Sequence, residues 1–182
     1  MKIKFLGATE TVTGSKYLIS LENNKNVLID CGLFQGHKEL RLRNWAKLPI
    51  SPKLIDAVIL THAHIDHTGY IPLLVKNGFE GKIYCTHGTK DLCEILLPDC
   101  GYLQEEEATY ANAKGYSKHT PALPLYTYED AVKSLDFFST CDFHKEYTLF
   151  DNFTFKFNHA GHIIGASTTL VKYNDTSILF SG

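Results

Sequence analysis

The sequence has little of what would assign a function from composition alone. Its 182 residues carry a formal net charge of −2, so no overall positive charge indicates a nucleic-acid-binding protein. A local basic groove is still compatible with such a neutral total. No apolar run is long enough for a membrane-spanning helix, and the short apolar stretch near the first residues predicts no signal peptide. Length and composition therefore predict one globular domain.

Paired cysteines are also absent from the sequence. The five cysteines are widely spaced, odd in number and form no Cys-x-x-Cys motif. This pattern favours reduced thiols over a disulfide framework and predicts a cytoplasmic protein. The sequence likewise has no internal repeat and no low-complexity linker.

Predicted strands and helices are mixed along the chain. The first thirty residues predict an antiparallel meander that ends at Asp30, and the C-terminal segment predicts further antiparallel hairpins. A long helix is expected from about residue 87 to about residue 113, capped by Thr86. Pro98 and Gly101 are points where this helix can kink or break.

The strongest functional signal is a group of four potential metal ligands between an apolar strand and a helix. His62, His64, Asp66 and His67 form the pattern His-x-His-x-Asp-His. Alternate residues of an extended chain point the same way, so His62 and His64 can meet one cation. The turn into the helix can direct Asp66 and His67 towards a second cation. Imidazole and carboxylate groups suit Zn²⁺, and two ions roughly 3.5–4 Å apart are usual in metal-assisted hydrolysis.

The first cation needs a third ligand, for which the segment "NHAGHIIGAS" offers two histidines. We prefer His162, because the small residues around it allow the backbone to approach a crowded site. His159 is expected to be structural, or at most to support a ligand from outside the coordination sphere. Asp30 ends a buried strand, and we expect its carboxylate to orient the histidine loop rather than bind metal.

These segments together resemble the metallo-β-lactamase superfamily. "FLGATETVTGSKYLI", "LIDCGLFQG", "THAHIDHTG" and "AGHIIGAS" follow that superfamily's order. Three features resemble, more narrowly, its β-CASP branch of RNA-processing metallohydrolases, related to the nuclease subunit of the mRNA 3′-end cleavage and polyadenylation machinery. They are "TVTGS", "AGHIIGAS" and the middle segment "LQEEEATYANAKGYSKHTPALPLYTYEDA".

The resemblance implies a four-layer α/β fold, the αββα sandwich, with mixed and mostly antiparallel sheets. It implies that residues 1–182 are the N-terminal part of the metallo-β-lactamase domain, which stops before an aspartate that bridges two metal ions and before the β-CASP domain. A partial sandwich would leave apolar strand faces uncovered. We therefore expect a homodimer or a higher assembly. No membrane association is expected, because no segment approaches the length of a membrane-spanning helix.

The resemblance also implies the roles of the site residues. His62, His64 and His162 would bind one zinc ion, while Asp66 and His67 would bind the other and take part in catalysis. Without the bridging aspartate, the second site is expected to be weak or empty. This chain should then hold one zinc ion or none and be inactive alone.

The predicted activity of the whole protein is zinc-dependent cleavage of RNA phosphodiester bonds. One alternative is a hydrolase of the same superfamily that acts on a small thioester or lactone. The middle segment argues against it, because small-molecule members typically lack that stretch. Another alternative is a non-catalytic RNA-processing subunit. Such relatives usually lose ligand residues, whereas every ligand expected within this chain is present.

Overall fold

The computed structural model describes all 182 residues as two facing β-sheets with helices on one side. The first sheet holds six strands in chain order, and they are β1 (Lys2–Phe5), β2 (Tyr17–Ser20), β3 (Asn26–Ile29), β4 (Ala57–Ile59), β5 (Lys82–Thr86) and β6 (Phe138–Cys141). The second sheet holds four strands, β7 (Glu146–Phe150), β8 (Phe153–His159), β9 (Ser167–Tyr173) and β10 (Thr176–Phe180). Strands β1 to β3 pair antiparallel, as predicted, and so does the whole second sheet.

The helices lie on the outer face of the first sheet. They are α1 (Lys38–Leu42), α2 (Ile65–Thr68), α3 (Ile71–Lys76), α4 (His87–Lys114) and α5 (Tyr128–Ser134), with short 3-10 turns at Arg43–Trp45, Pro52–Leu54 and Leu135–Phe137. The outer face of the second sheet carries no helix, so three of the four layers of an αββα sandwich are present. The mixed α/β class is confirmed.

The two sheets pack through an aromatic core that the alternation of β8 creates. Phe153, Phe155 and Phe157 are fully buried on one face of that strand, because successive side chains of a strand point to opposite faces. They meet apolar side chains of the first sheet, such as Ile29 and Ile59. A second, larger core lies between the first sheet and its helices.

Helix α4 has the predicted start but does not break at its proline. The Thr86 hydroxyl accepts a hydrogen bond from the Thr89 N–H, which caps the helix as expected. The helix then continues through Pro98 and Gly101 to Lys114. A Cβ atom at Gly101 would lie 2.7 Å from the Thr127 carbonyl oxygen, so this glycine permits close packing of the loop before α5.

The parallel half of the first sheet creates the edge at which a site can form. Strands β3, β4, β5 and β6 run in the same direction, so their C-terminal ends meet at one edge of the sheet. Asp30 follows β3, Thr61 and His62 follow β4, and His87 follows β5. Ligands characteristically bind beyond such strand ends in α/β proteins.

Three further sequence expectations concern membrane spans, the cysteines and self-association. None of the helices has both the length and the hydropathy needed to cross a bilayer. All five cysteines are free, and four of them are buried. Phe5 and Leu179 are 58% and 62% exposed on the edge strands β1 and β10, and these apolar positions are compatible with association. The homodimer stays a prediction.

The aromatic core yields a stability prediction. Phe155→Ala should lower the free energy of unfolding by about 3–5 kcal/mol, because it leaves a cavity between the two sheets. Urea denaturation followed by circular dichroism measures this change. Thr154→Ala, on the outer face of the same strand, is the matched control and should change stability by less than about 0.5 kcal/mol. Equal midpoints for the two variants would contradict the packing described above.

Candidate metal centre

Three histidine side chains converge at the edge formed by the parallel strands. His62 and His64 lie on the loop between β4 and α2, and His162 lies on the loop between β8 and β9. The His64 Nδ1 atom lies 3.1 Å from His62 Nε2 and 3.2 Å from His162 Nε2. All three ligand atoms lie within 4.8 Å of one another.

These separations fit a metal ion. Zinc–nitrogen bonds of about 2.0–2.1 Å in tetrahedral geometry place neighbouring nitrogens about 3.3 Å apart, close to the two distances above. His62 is buried, His64 is partly buried and His162 is exposed. The open side of the site therefore lies towards His162, and a fourth coordination position is accessible from solvent.

His159, the other histidine of that segment, is not one of the three converging ligands. Its ring stacks on Phe143 with centroids 3.7 Å apart and does not join the three converging nitrogens. The loop that carries His162 is attached to the start of α4. The hydroxyls of Thr86 and Thr89 donate to the Gly165 carbonyl oxygen at 2.6 and 3.0 Å. A Cβ atom at Gly165 would lie 2.2 Å from the Thr89 nitrogen, and its φ is +78°, so only glycine fits there.

A chain of hydrogen bonds connects Asp30 to His62 through Thr61. The Asp30 carboxylate accepts from the Thr61 N–H at 2.8 Å and from the Thr61 hydroxyl at 2.9 Å. Since the hydroxyl proton is given to the carboxylate, the hydroxyl oxygen can accept from His62 Nδ1, which lies 3.0 Å away. That arrangement places the His62 proton on Nδ1 and leaves Nε2 free to bind a cation.

Asp30 also holds His67, the third histidine of the sequence motif. Its second carboxylate oxygen accepts from His67 Nδ1 at 2.8 Å. The free Nε2 of His67 lies 3.7 Å from Asp66 Oδ2. The rings of His62 and His67 have centroids 4.0 Å apart, so these two potential ligands lie directly beside the group of three histidines.

The electrostatics of the two histidines that Asp30 supports differ. Burial lowers the pKa of His62 to about 4, and repulsion from His67 adds to this effect. The His62 imidazole is therefore neutral at neutral pH and keeps a lone pair. Burial also opposes the charge on His67. The hydrogen bond and charge of Asp30, with the charge of Asp66, outweigh burial and raise the pKa of His67.

Two residues that sequence reasoning missed hold the supporting backbone. Lys16 is 2% exposed; its ammonium donates to the Gly32 carbonyl oxygen and lies 4.8 and 4.7 Å from the rings of Phe34 and Tyr70. Burial lowers the pKa of Lys16 to about 8. A Cβ atom at Gly32 would lie 1.6 Å from the Asp66 carbonyl oxygen, so the backbone at Asp66 packs directly against this glycine.

The arrangement can be compared with known proteins. Residues 11–96 match the family model described as the metallo-β-lactamase superfamily. A subclass B3 metallo-β-lactamase, BJP-1 of Bradyrhizobium japonicum, superposes with a TM-score of 0.57 at 22% identity. The superposition covers 99% of this chain and 59% of that structure, and at this identity it shows the fold alone. Residues 11–96 belong to the metallo-β-lactamase superfamily.

Relatives by sequence confirm the narrower resemblance to the β-CASP branch. Ribonuclease TTHA0252 of Thermus thermophilus is 33% identical over 182 residues, all of this chain and 37% of its own length. The transcription termination factor FttA of Methanosarcina mazei is 31% identical, over all of this chain and 27% of its own length. Cleavage and polyadenylation specificity factor subunit 3-I of Arabidopsis thaliana is 31% identical, over 97% of this chain and 23% of its own length. The chain thus spans between 23% and 37% of the length of these relatives.

The hydrogen-bond chain through Thr61 yields a prediction about metal affinity. Thr61→Val keeps the side-chain shape but removes the hydroxyl between Asp30 and His62. Affinity for Zn²⁺ should fall by about 10–100-fold, since outer hydrogen-bond partners orient metal-binding histidines. Competition with a chromogenic chelator measures the dissociation constant.

The matched control for this experiment is Thr169→Val. Thr169 is equally buried, and its hydroxyl has no hydrogen-bond partner within the chain. Its replacement should leave the affinity for Zn²⁺ unchanged. A Thr61→Val variant that binds Zn²⁺ as tightly as this control would show that the hydroxyl does not orient His62.

Proposed function

We propose that this chain is the metal-binding part of a zinc-dependent hydrolase that cleaves phosphodiester bonds of RNA. The observation that carries the proposal is the convergence of three imidazole nitrogens, from loops about a hundred residues apart in sequence, at distances that suit one tetrahedral cation. Relatives named as a ribonuclease and as a cleavage factor support RNA as the substrate. Five free thiols support a reducing, cytosolic location.

His62, His64 and His162 are the proposed ligands of the first ion. Three neutral histidines with one open position are a known catalytic zinc arrangement, and a zinc ion bound there would supply a water of lowered pKa and a positive charge beside the phosphate. The buried His62 is held in the required tautomer by Thr61. The exposed side of His162 is where the RNA backbone would approach.

Asp66 and His67 have the remaining proposed roles. Asp66 lies at the start of α2, and its carboxylate is partly exposed. This carboxylate can accept a hydrogen bond from the attacking water. This bond orients a water lone pair towards phosphorus. His67 offers Nε2 to a second ion, while Asp30 fixes its ring through Nδ1. The buried Asp30 carboxylate thereby aligns both histidines without touching the substrate.

The second ion should bind weakly in this chain, because Asp66 and His67 are the only two ligands that it offers. Purified chain loaded with excess Zn²⁺ and then desalted should retain about one ion, as measured by mass spectrometry of the metal. His67→Ala should leave that ratio unchanged, whereas His162→Ala should reduce it to well below one. Retention of two ions by the unaltered chain would contradict a weak second site.

RNA cleavage tests the proposed activity. The full-length protein that contains this chain should cut labelled single-stranded RNA in the presence of Zn²⁺. Chelation or His64→Ala should reduce cleavage to background, because either removes the cation that activates water. His119→Ala, which alters an exposed histidine outside the site, should retain activity. Cleavage that persists after exhaustive chelation would overturn the metal mechanism.

The same preparation separates the alternative functions. Hydrolysis of a chromogenic ester, with labelled RNA left intact, would instead identify a small-molecule hydrolase of this superfamily. Stoichiometric metal binding without hydrolysis of either substrate would identify a non-catalytic subunit. The presence of all five proposed ligands argues against this last possibility.

A further inference from the structure

Strand β8 places a histidine where the aromatic series of the core reaches solvent. Phe153, Phe155 and Phe157 point into the core between the sheets, and His159 is the next residue on the same face. The three phenylalanines are buried, whereas His159 is exposed. Its ring therefore lies at the mouth of the space between the two sheets.

The ring of Phe143 stacks against the His159 ring. Phe143 follows β6 and packs against the core between the sheets. The rings of Phe143 and His159 are stacked, with centroids 3.7 Å apart and an interplanar angle of 27°. One face of the His159 imidazole is thus covered by Phe143, and since the residue is exposed, the opposite face is open to solvent.

The loop that carries Phe143 is hydrogen-bonded to β8. Its neighbour His144 has a φ of +62°, which is unfavourable for a residue with a side chain. The His144 N–H donates to the Phe157 carbonyl oxygen at 2.7 Å, and the His144 ring contacts His159 edge-on at a centroid distance of 5.2 Å. These contacts connect the three rings of Phe143, His144 and His159 to one another and to β8.

This ring stack lies beside the metal centre. His159 pairs with Ser167 across the second sheet, and Ser167 donates to the Thr61 carbonyl oxygen through its N–H and its hydroxyl, both at 2.9 Å. Thr61 directly precedes His62. His159 is also three residues from His162, so their Cα atoms lie at most about 11 Å apart.

The charges around the stack do not exclude a polyanion. Asp142 adjoins Phe143 and would repel phosphate if it were unpaired. His87 Nε2 lies 3.5 Å from one of its carboxylate oxygens, and Lys145 Nζ lies 3.8 Å from the other. The Lys145 ammonium and the His87 imidazole therefore both lie within 4 Å of the Asp142 carboxylate.

We propose that Phe143 and His159 form a stacking platform for a nucleobase of single-stranded RNA, next to the phosphate bound at the metal centre. Unstacked RNA bases are characteristically bound on aromatic rings, histidine included, and such stacking tolerates any base because every base has a π face. The platform would position the nucleotide beside the scissile bond. This inference rests on the proposed function, and it names the part of the site that recognises the substrate.

The test measures RNA binding by the zinc-loaded chain through fluorescence anisotropy. The probes are a labelled single-stranded RNA decamer and the same decamer with abasic positions throughout. His159→Ala should raise the dissociation constant for the intact decamer about tenfold, within the range that base–aromatic stacking contributes. The same variant should bind the abasic decamer as the unaltered chain does. His159→Tyr should restore binding of the intact decamer, and His119→Ala is the matched control.

Nuclear magnetic resonance adds a direct readout. Ring-proton signals of His159, assigned by their loss in His159→Ala, should shift upfield when the intact decamer is added and remain in place with the abasic decamer. Equal thermal unfolding temperatures of the chain and its variants would exclude a structural cause.

Several outcomes would overturn the platform. They are intact-decamer binding that His159→Ala leaves unchanged, a His159→Tyr variant as weak as His159→Ala, and a chain that binds neither decamer. The cleavage assay on the full-length protein reports separately on the proposed function. Zinc-dependent RNA cleavage with the same KM in His159→Ala would remove the platform and leave that function intact.

Discussion

The site depends on one buried carboxylate. Asp30 is 1% exposed, and a charge in that position is tolerated only if it is fully hydrogen-bonded. Thr61 and His67 supply those bonds, so the requirement to satisfy Asp30 fixes the backbone of the histidine loop and the orientation of two imidazoles at once. The φ of Asp30, +56°, is a strained value that this bonding maintains.

The surrounding fold serves this arrangement by bringing separate segments to one edge. Parallel strands deliver Asp30 and the histidine loop side by side, while the second sheet contributes His162. Lys16 lies on the buried side of this loop. Its ammonium group donates to the Gly32 carbonyl oxygen and contacts two aromatic rings, at a buried position that an apolar side chain would usually occupy. The same edge carries Phe143 and His159, so the groups proposed to bind metal and those proposed to bind a base share one scaffold.

Much of this architecture could be predicted from local sequence. The meander up to Asp30 and the start of α4 at Thr86 follow from strand propensity and capping, and both are confirmed. The continuity of α4 through Pro98 was not predictable, because tertiary packing outweighs the local cost of a proline. The burial of Lys16 also depends on tertiary packing, so no local signal in the sequence identifies it.

The site could be predicted only as a set of residue types. Spacing on an extended chain selects His62 and His64, but their meeting with His162 depends on contacts between residues far apart in sequence. The role of Thr61 is visible only in three dimensions, since an isolated threonine before a histidine carries no pattern. His159 illustrates the same limit, because its significance arises from Phe143, which belongs to a different loop.

The placement of His162 has one more consequence. Two of the three converging histidines belong to the first sheet and the third to the second, so an ion held by all three would tie the two halves of the sandwich together. Its binding free energy would then add to the stability of the native state according to mass action. The amount of folded protein in a cell would accordingly follow the availability of the metal, so that metal supply would influence the protein's abundance as well as its chemistry.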